Sequence, residues 1–226
     1  MTARTIWIKI CGNTSLADAR MAVEAGADAV GFVFAPSPRR VSPVEAASII
    51  SHLPPAVEKI GVFVDAHGSE IYSTVRISGL TGVQLHFDAG ADLPARLHGQ
   101  LGPQLRILRV VHFDPDGTEL VSKQVAEHAQ NLHVDGVLVD SRTVTAVGGT
   151  GTAFNWAKAR KTVFANFGTL KLIAAGGLDP ANVAEAIATL QPWGVDVASG
   201  VEAEPGRKDP VKVREFIAQA RAVTHQ

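Results

Sequence analysis

One cysteine occurs in the 226 residues, and it closes the run Trp7-Ile8-Lys9-Ile10-Cys11-Gly12. In an extended segment alternate side chains share a face, so Lys9 and Cys11 lie together and Ile8 and Ile10 lie opposite. A lysine beside a thiol in one polar cavity favours the thiolate and predicts a lowered thiol pKa. That thiolate would be a base or a nucleophile. The same cysteine, buried without a task, is only a small apolar residue. Other positions offer matching chemistry. Asp140 ends the apolar run Gly136-Val137-Leu138-Val139, where a carboxyl can give or take a proton. Arg39, in Pro36-Ser37-Pro38-Arg39-Arg40, carries a planar fork suited to a carboxylate. Gln84 and His86 face one way in Gln84-Leu85-His86 and need polar partners or a ligand.

These residues have one thing in common: each ends or follows a short apolar run. Such runs are Trp7–Ile10, Ala29–Val33, Lys59–Val64, Gly82–His86, Arg106–Val111, Gly136–Asp140, Lys171–Ala174 and Gly194–Ala198. Nearly continuous Val and Ile fit parallel strands buried on both faces. Helix-length segments lie between them. Ser15–Ala25, Ser42–Ser51, Ala181–Thr189 and Asp209–Ala222 carry start signals, whereas the helices after strands three, four and five are faint. Eight strand–helix units without a linker predict one closed (β/α)8 barrel (TIM barrel) over residues 1–226. In that fold the strand C-terminal ends build the site. The small-residue turns Gly176-Gly177 and Ser199-Gly200 then follow strands seven and eight, where backbone N–H groups commonly hold phosphate. Val147–Thr152 is a further glycine-rich loop, either a close ligand contact or a lid.

Composition narrows the partners. A net charge of -1 excludes a global basic field for nucleic acid. A single cysteine excludes an intramolecular disulfide or a cysteine-based zinc site, and the eight histidines lack ligand spacing. Neither a nucleotide fingerprint nor a membrane-length apolar run is present, and no secretory signal is visible. The expectation is a cytoplasmic protein, monomer or homodimer, using no metal and no cofactor. Strands six and one lie three steps apart on an eight-membered ring, so Asp140 faces Cys11 across the mouth. An acid and a base facing across a phosphate-anchored pocket suit proton transfer on adjacent carbons of a sugar phosphate.

Along nearly its whole length the chain resembles the phosphoribosylanthranilate isomerase family of tryptophan biosynthesis. The matching stretches include Lys9-Ile10-Cys11-Gly12, Gly26–Phe34, Ser37-Pro38-Arg39, Gln84-Leu85-His86 and Asp140-Ser141. Gly148–Gly151, Ala175–Leu178, Val195–Glu202 and Pro205–Asp209 continue the match. The resemblance implies an Amadori rearrangement of N-(5-phosphoribosyl)anthranilate to 1-(2-carboxyphenylamino)-1-deoxyribulose 5-phosphate. It implies Asp140 as general acid on the ring oxygen and Cys11 as the base at C2. It implies Arg39 on the anthranilate carboxylate, Asp196 on sugar hydroxyls, and Gly176, Gly177, Ser199 and Gly200 on phosphate. The resemblance implies His86 as a further substrate contact, although Phe87 and Asp88 follow it where the family usually has glycine. Phe87 would either narrow the mouth or pack beneath the loop. Two other readings share the barrel: a histidine-pathway isomerase of the same chemistry, and a silent barrel that only binds a sugar phosphate. The thiol on strand one argues against the first, and the acid–base pair argues against the second.

Overall fold

The computed structural model describes residues 5–114, 116–140, 156–164 and 170–223. Strands and helices alternate from the start: β1 (Trp7–Ile10), α1 (Leu16–Glu24), β2 (Ala29–Val33), α2 (Pro43–Ile50), β3 (Glu58–Phe63) and α3 (Gly68–Ser78). They continue with β4 (Gly82–Leu85), α4 (Leu93–Leu101), β5 (Arg106–His112), α5 (Thr118–Ala129) and β6 (Gly136–Asp140). The chain ends with α6 (Trp156–Thr162), β7 (Lys171–Ala175), α7 (Val183–Leu190), β8 (Gly194–Val197) and α8 (Pro210–Ala222). The eight strands pair in parallel and in sequence order, and β8 closes on β1, which makes the expected TIM barrel. A 3₁₀ turn, Ser199–Val201, and a hairpin of β9 (Glu202–Glu204) and β10 (Arg207–Lys208) separate β8 from α8. Among the described residues no helix is long and apolar enough to cross a membrane.

Capping explains three of the four helices that the sequence announces; the fourth, α7, has no side-chain cap at its N-cap Asn182. Ser15 accepts from the Asp18 N–H, Ser42 forms a reciprocal capping box with Glu45, and Asp209 accepts from Val211 and Lys212. The faint helices α3, α4 and α5 begin with no side-chain cap, so their starts leave no polar signature. Their apolar faces against the strands hold them instead: Ile71 and Val75 of α3, Leu93 and Leu97 of α4, and Val121 and Val125 of α5 are all buried.

Inside the barrel, side-chain alternation stacks residues in layers. Trp7, Glu58, Arg106 and Lys171, the first residues of β1, β3, β5 and β7, form the floor. Above them the even strands contribute only Ala29, Gly82, Gly136 and Gly194. Bulk from the odd strands fills that space, since a Cβ on Gly82 would stand 2.6 Å from Ile60 Cδ1 and one on Gly194 2.8 Å from Trp7 Cε3. Next come Lys9, Ile60, Leu108 and Ile173, then Gly31, Gln84, Leu138 and Asp196. Trp7, Ile60, Leu108, Leu138 and Ile173 belong to one buried cluster, separate from the larger core between strands and helices. Lys9 and Cys11 thus share the inward face, as the alternation predicts.

Candidate active site

Lys9 is completely buried at mid-barrel, and its ammonium points up toward the mouth. It donates to Asp196 Oδ1 at 2.8 Å and to Gln84 Oε1 at 2.9 Å. Gln84 therefore has the partner its position requires. Burial works against the ammonium, but Asp196 and Cys11 outweigh it and hold the Lys9 pKa above the usual lysine value.

One layer higher, Cys11 continues the β1 line, with its N–H donating to the Val197 carbonyl at 2.8 Å. Its thiol differs from the expectation. Burial pushes the Cys11 pKa up, Lys9 opposes that shift, and Asp196 reinforces it. A lysine two residues away does not overcome the burial of the thiol, and the Asp196 carboxylate takes up part of its charge. The net result is a raised thiol, not a lowered one. Beside it Gly31 supplies clearance: a Cβ there would lie 2.7 Å from Sγ and 3.1 Å from Lys9 Cε.

Cys11, Arg39, His86, Asp140, Gly176, Gly177 and Asp196 all line one cavity of about 250 Å³ at the C-terminal mouth. Asp140, half-buried, ends β6 three strands from β1. Gly176 and Gly177 follow β7 with φ of 82° and 65°, consecutive left-handed positions that a side chain resists. Asn182 pins this turn by donating to the Gly177 carbonyl at 2.9 Å. Ser199 and Gly200 stand one step back, in the 3₁₀ turn, and Ala198 reaches the lining in their place. Gly200 packs so closely against the Leu178 carbonyl that a Cβ there would overlap it, which brings the two turns together. The loop 147–152 lies outside the described residues.

Arg39 makes the two-pronged contact its type suggests, but to the protein itself. Its Nε and Nη2 donate to Glu202 at 2.8 and 2.5 Å, and Lys208 Nζ donates to the same carboxylate at 3.0 Å. Burial alone would raise Glu202, yet Arg39 and Lys208 hold its carboxyl below the usual range. Glu202 and Lys208 were missed as site charges because they arrive on a hairpin after the last barrel strand. Their only sequence signal is their place within the family-like closing stretches.

On the other wall, burial and the neighbouring His112 pull His86 below the ordinary imidazole range, against the opposing Asp140 and Asp196. The two imidazole Nε2 atoms are 3.2 Å apart. His112 had no signal of its own, since 26 residues separate it from His86. Two of the eight histidines come together here, with His86, His112 and Asp140 donor atoms all within 4.8 Å of one another. Phe87 packs against the core and is not part of the cavity lining. The residue after it, Asp88, faces the buried Arg109 at 3.9 Å.

Comparison with known proteins decides the family. Residues 8–219 match the model of N-(5'-phosphoribosyl)anthranilate (PRA) isomerase. This chain belongs to that family. It is 43% identical to the N-(5'-phosphoribosyl)anthranilate isomerase of Geotalea uraniireducens, covering 96% of this chain and 98% of the relative. The crystal structure of the Thermotoga maritima phosphoribosylanthranilate isomerase superposes with a TM-score of 0.80 at 35% identity, over 95% of this chain and 98% of that one. A further crystal structure of the isomerase holds reduced 1-(o-carboxyphenylamino)-1-deoxyribulose 5-phosphate, with a TM-score of 0.78 and 33% identity over 95% and 98%. The Thermotoga maritima enzyme is described as dimeric.

Proposed function

We propose that this isomerase performs the Amadori rearrangement of N-(5'-phosphoribosyl)anthranilate with Asp140 as general acid and Cys11 as general base. The observation that carries these roles is the single cavity that both side chains line from opposite walls, with the Gly176-Gly177 turn at its edge. The substrate phosphate sits on the backbone N–H groups of that turn. Asp140 gives its proton to the furanose ring oxygen, and the C1–O bond breaks to leave a cationic Schiff base. The Cys11 thiolate then takes the proton from C2, and the C2–H electrons form the enolamine. That intermediate tautomerises to the ketone. Asp140 finishes ionised and Cys11 protonated, and solvent resets both.

The cationic Schiff base solves the problem of a buried thiol. Its charge attracts the thiolate and acidifies the C2 proton in the same step. Arg39 holds the anthranilate carboxylate, because Glu202 uses only two of its five N–H donors and fixes the guanidinium plane. Asp196, fixed by Lys9 through Oδ1, holds the sugar hydroxyls. The Thermotoga maritima precedent makes a homodimer one assembly to test by sedimentation.

The test is loss of anthranilate-type fluorescence, with substrate made in situ from anthranilate and phosphoribosyl pyrophosphate by the preceding transferase. The wild-type protein should consume it, at a rate that climbs with pH as the thiol ionises. Cys11→Ala and Asp140→Asn should each lose about 10²–10⁴-fold in turnover. Full activity in either variant removes that residue from the mechanism. An inactive, well-folded wild type would redirect the search to the histidine-pathway substrate.

A further inference from the structure

The mechanism leaves one arrangement unexplained. β4, β5 and β6 are neighbours in the barrel, and alternation turns His86, His112 and Asp140 toward the mouth from the three successive strand ends. Strand register seats His112 directly beside Asp140. The two imidazole Nε2 atoms stand 3.2 Å apart, and all three donor atoms fall within 4.8 Å. A tetrahedral metal with nitrogen ligands at about 2.0–2.1 Å separates those ligands by about 3.3–3.4 Å. The histidine pair already has that spacing. Closing the remaining gap takes a rotation of the carboxylate about its two side-chain bonds, away from its present contacts, and His112 lies on the exposed rim.

We infer that His86, His112 and Asp140 form a binding site for a divalent transition-metal ion at the mouth of the barrel. Two imidazoles and one carboxylate are a borderline donor set, suited to zinc and its neighbours rather than to magnesium or calcium. Three protein ligands leave a fourth position open toward the cavity, where water completes the shell. No electron transfer or bond cleavage is involved: the metal displaces a proton from whichever Nε2 carries one. The site controls the enzyme by occupying it. A metal held there takes the Asp140 carboxyl out of service, a consequence that rests on the role proposed for Asp140. The chain would then be inhibited by zinc and restored by a chelator.

Purified, metal-free protein titrated with Zn²⁺ against a chromophoric chelator should bind one ion per chain. His112→Gln should weaken binding by more than about tenfold while leaving zinc-free turnover near wild type. Cys11→Ala should bind zinc as the wild type does, because the thiol is not a ligand. Co²⁺ in the wild type should give a visible d–d band without a near-ultraviolet thiolate band. No stoichiometric binding, undiminished binding by folded His112→Gln, or loss of binding by Cys11→Ala would each overturn the site. In the fluorescence assay zinc should inhibit the wild type reversibly and spare His112→Gln. Binding without inhibition would count against Asp140 as the acid and leave the metal site standing.

Discussion

The two ends of the barrel bury comparable polarity and differ in bulk. At the floor, Trp193 stacks 5.1 Å from Trp7, Lys171 Nζ lies 4.9 Å from its centroid, and Arg106 packs over it while pairing with Glu58. Every charge there is spent on an aromatic face or a carboxylate, and the rings fill the space. At the mouth the charges are as tightly paired, Lys9 with Asp196 and Arg39 and Lys208 with Glu202. The residues between them, however, are Cys11, Gly31, Gly176 and Ala198. Small side chains, not extra polarity, open the cavity of about 250 Å³. A reactive end of this barrel is one where charge is buried and volume is withheld.

Breaking the charge cluster at the mouth should cost most. Glu202→Gln leaves the fully buried Lys208 ammonium and the Arg39 fork without a counter-charge. We expect a loss of about 3 kcal/mol near pH 7, the low end for a broken buried pair because the amide still accepts hydrogen bonds. The Glu202 pKa lies below 4.5 in the fold, so the unfolded chain binds the extra proton in acid. Its contribution is complete above that value and is lost as pH falls through the folded pKa. Urea unfolding of both proteins from about pH 7 to about pH 4 should show the deficit shrinking. A deficit constant with pH would mean that packing, not charge, is what Glu202 provides.

Filling withheld volume should come next. Gly31→Ala places a methyl group 2.7 Å from the Cys11 sulfur, so the thiol or the strand must shift. Overpacking of this kind costs about 1–3 kcal/mol. Displacing the base by a fraction of an ångström should also lower turnover, by up to about 100-fold, with little change in KM. Unchanged kinetics with normal stability would show that the mouth has slack and that its small residues are not what sets the position of the thiol.

Legibility in the sequence follows the same division. Periodicity and caps reveal the barrel, since Ser15, Ser42 and Asp209 mark their helices and the strands read as unbroken apolar runs. Alternation correctly joins Lys9 to Cys11 and turns Gln84 and His86 inward. The two glycines at 176 and 177 announce a turn that few other residues could make. What escapes is pairing at a distance. Burial inside the closed ring reverses the expected thiol shift, and Asp196, which pairs with Lys9 across 187 residues, adds to it; Glu202 meets Arg39 across 163. His112 meets His86 only because β5 lies beside β4. Residue type gives the chemistry of each group, but its pKa belongs to the burial and the partners that only the closed ring supplies.

The smallest expected effect is the most direct test of the two ends. Glu58 pairs with Arg106 at 2.5 Å, much as Glu202 pairs with Arg39. Yet burial lifts its carboxyl above 4.5, and Arg106, with Trp7 and Lys171, only partly offsets the lift. Between 4.5 and the raised folded value the native chain therefore holds more protons than the unfolded one, and stability falls as pH rises through that window. Ionised Glu58 is a cost to the fold at neutral pH, and acid relieves it. Glu58→Gln removes that cost together with the ion pair, so near pH 7 its stability should lie within about 1 kcal/mol of wild type. On acidification the wild type gains relative to Glu58→Gln, whereas it loses its advantage over Glu202→Gln. The two stability differences should run in opposite directions with pH in one set of urea titrations. Parallel slopes would show that both carboxylates are governed by their arginines alone. Opposite slopes would place the difference where the packing puts it: at the filled floor Arg106, Trp7 and Lys171 together do not offset burial, and at the open mouth Arg39 and Lys208 do.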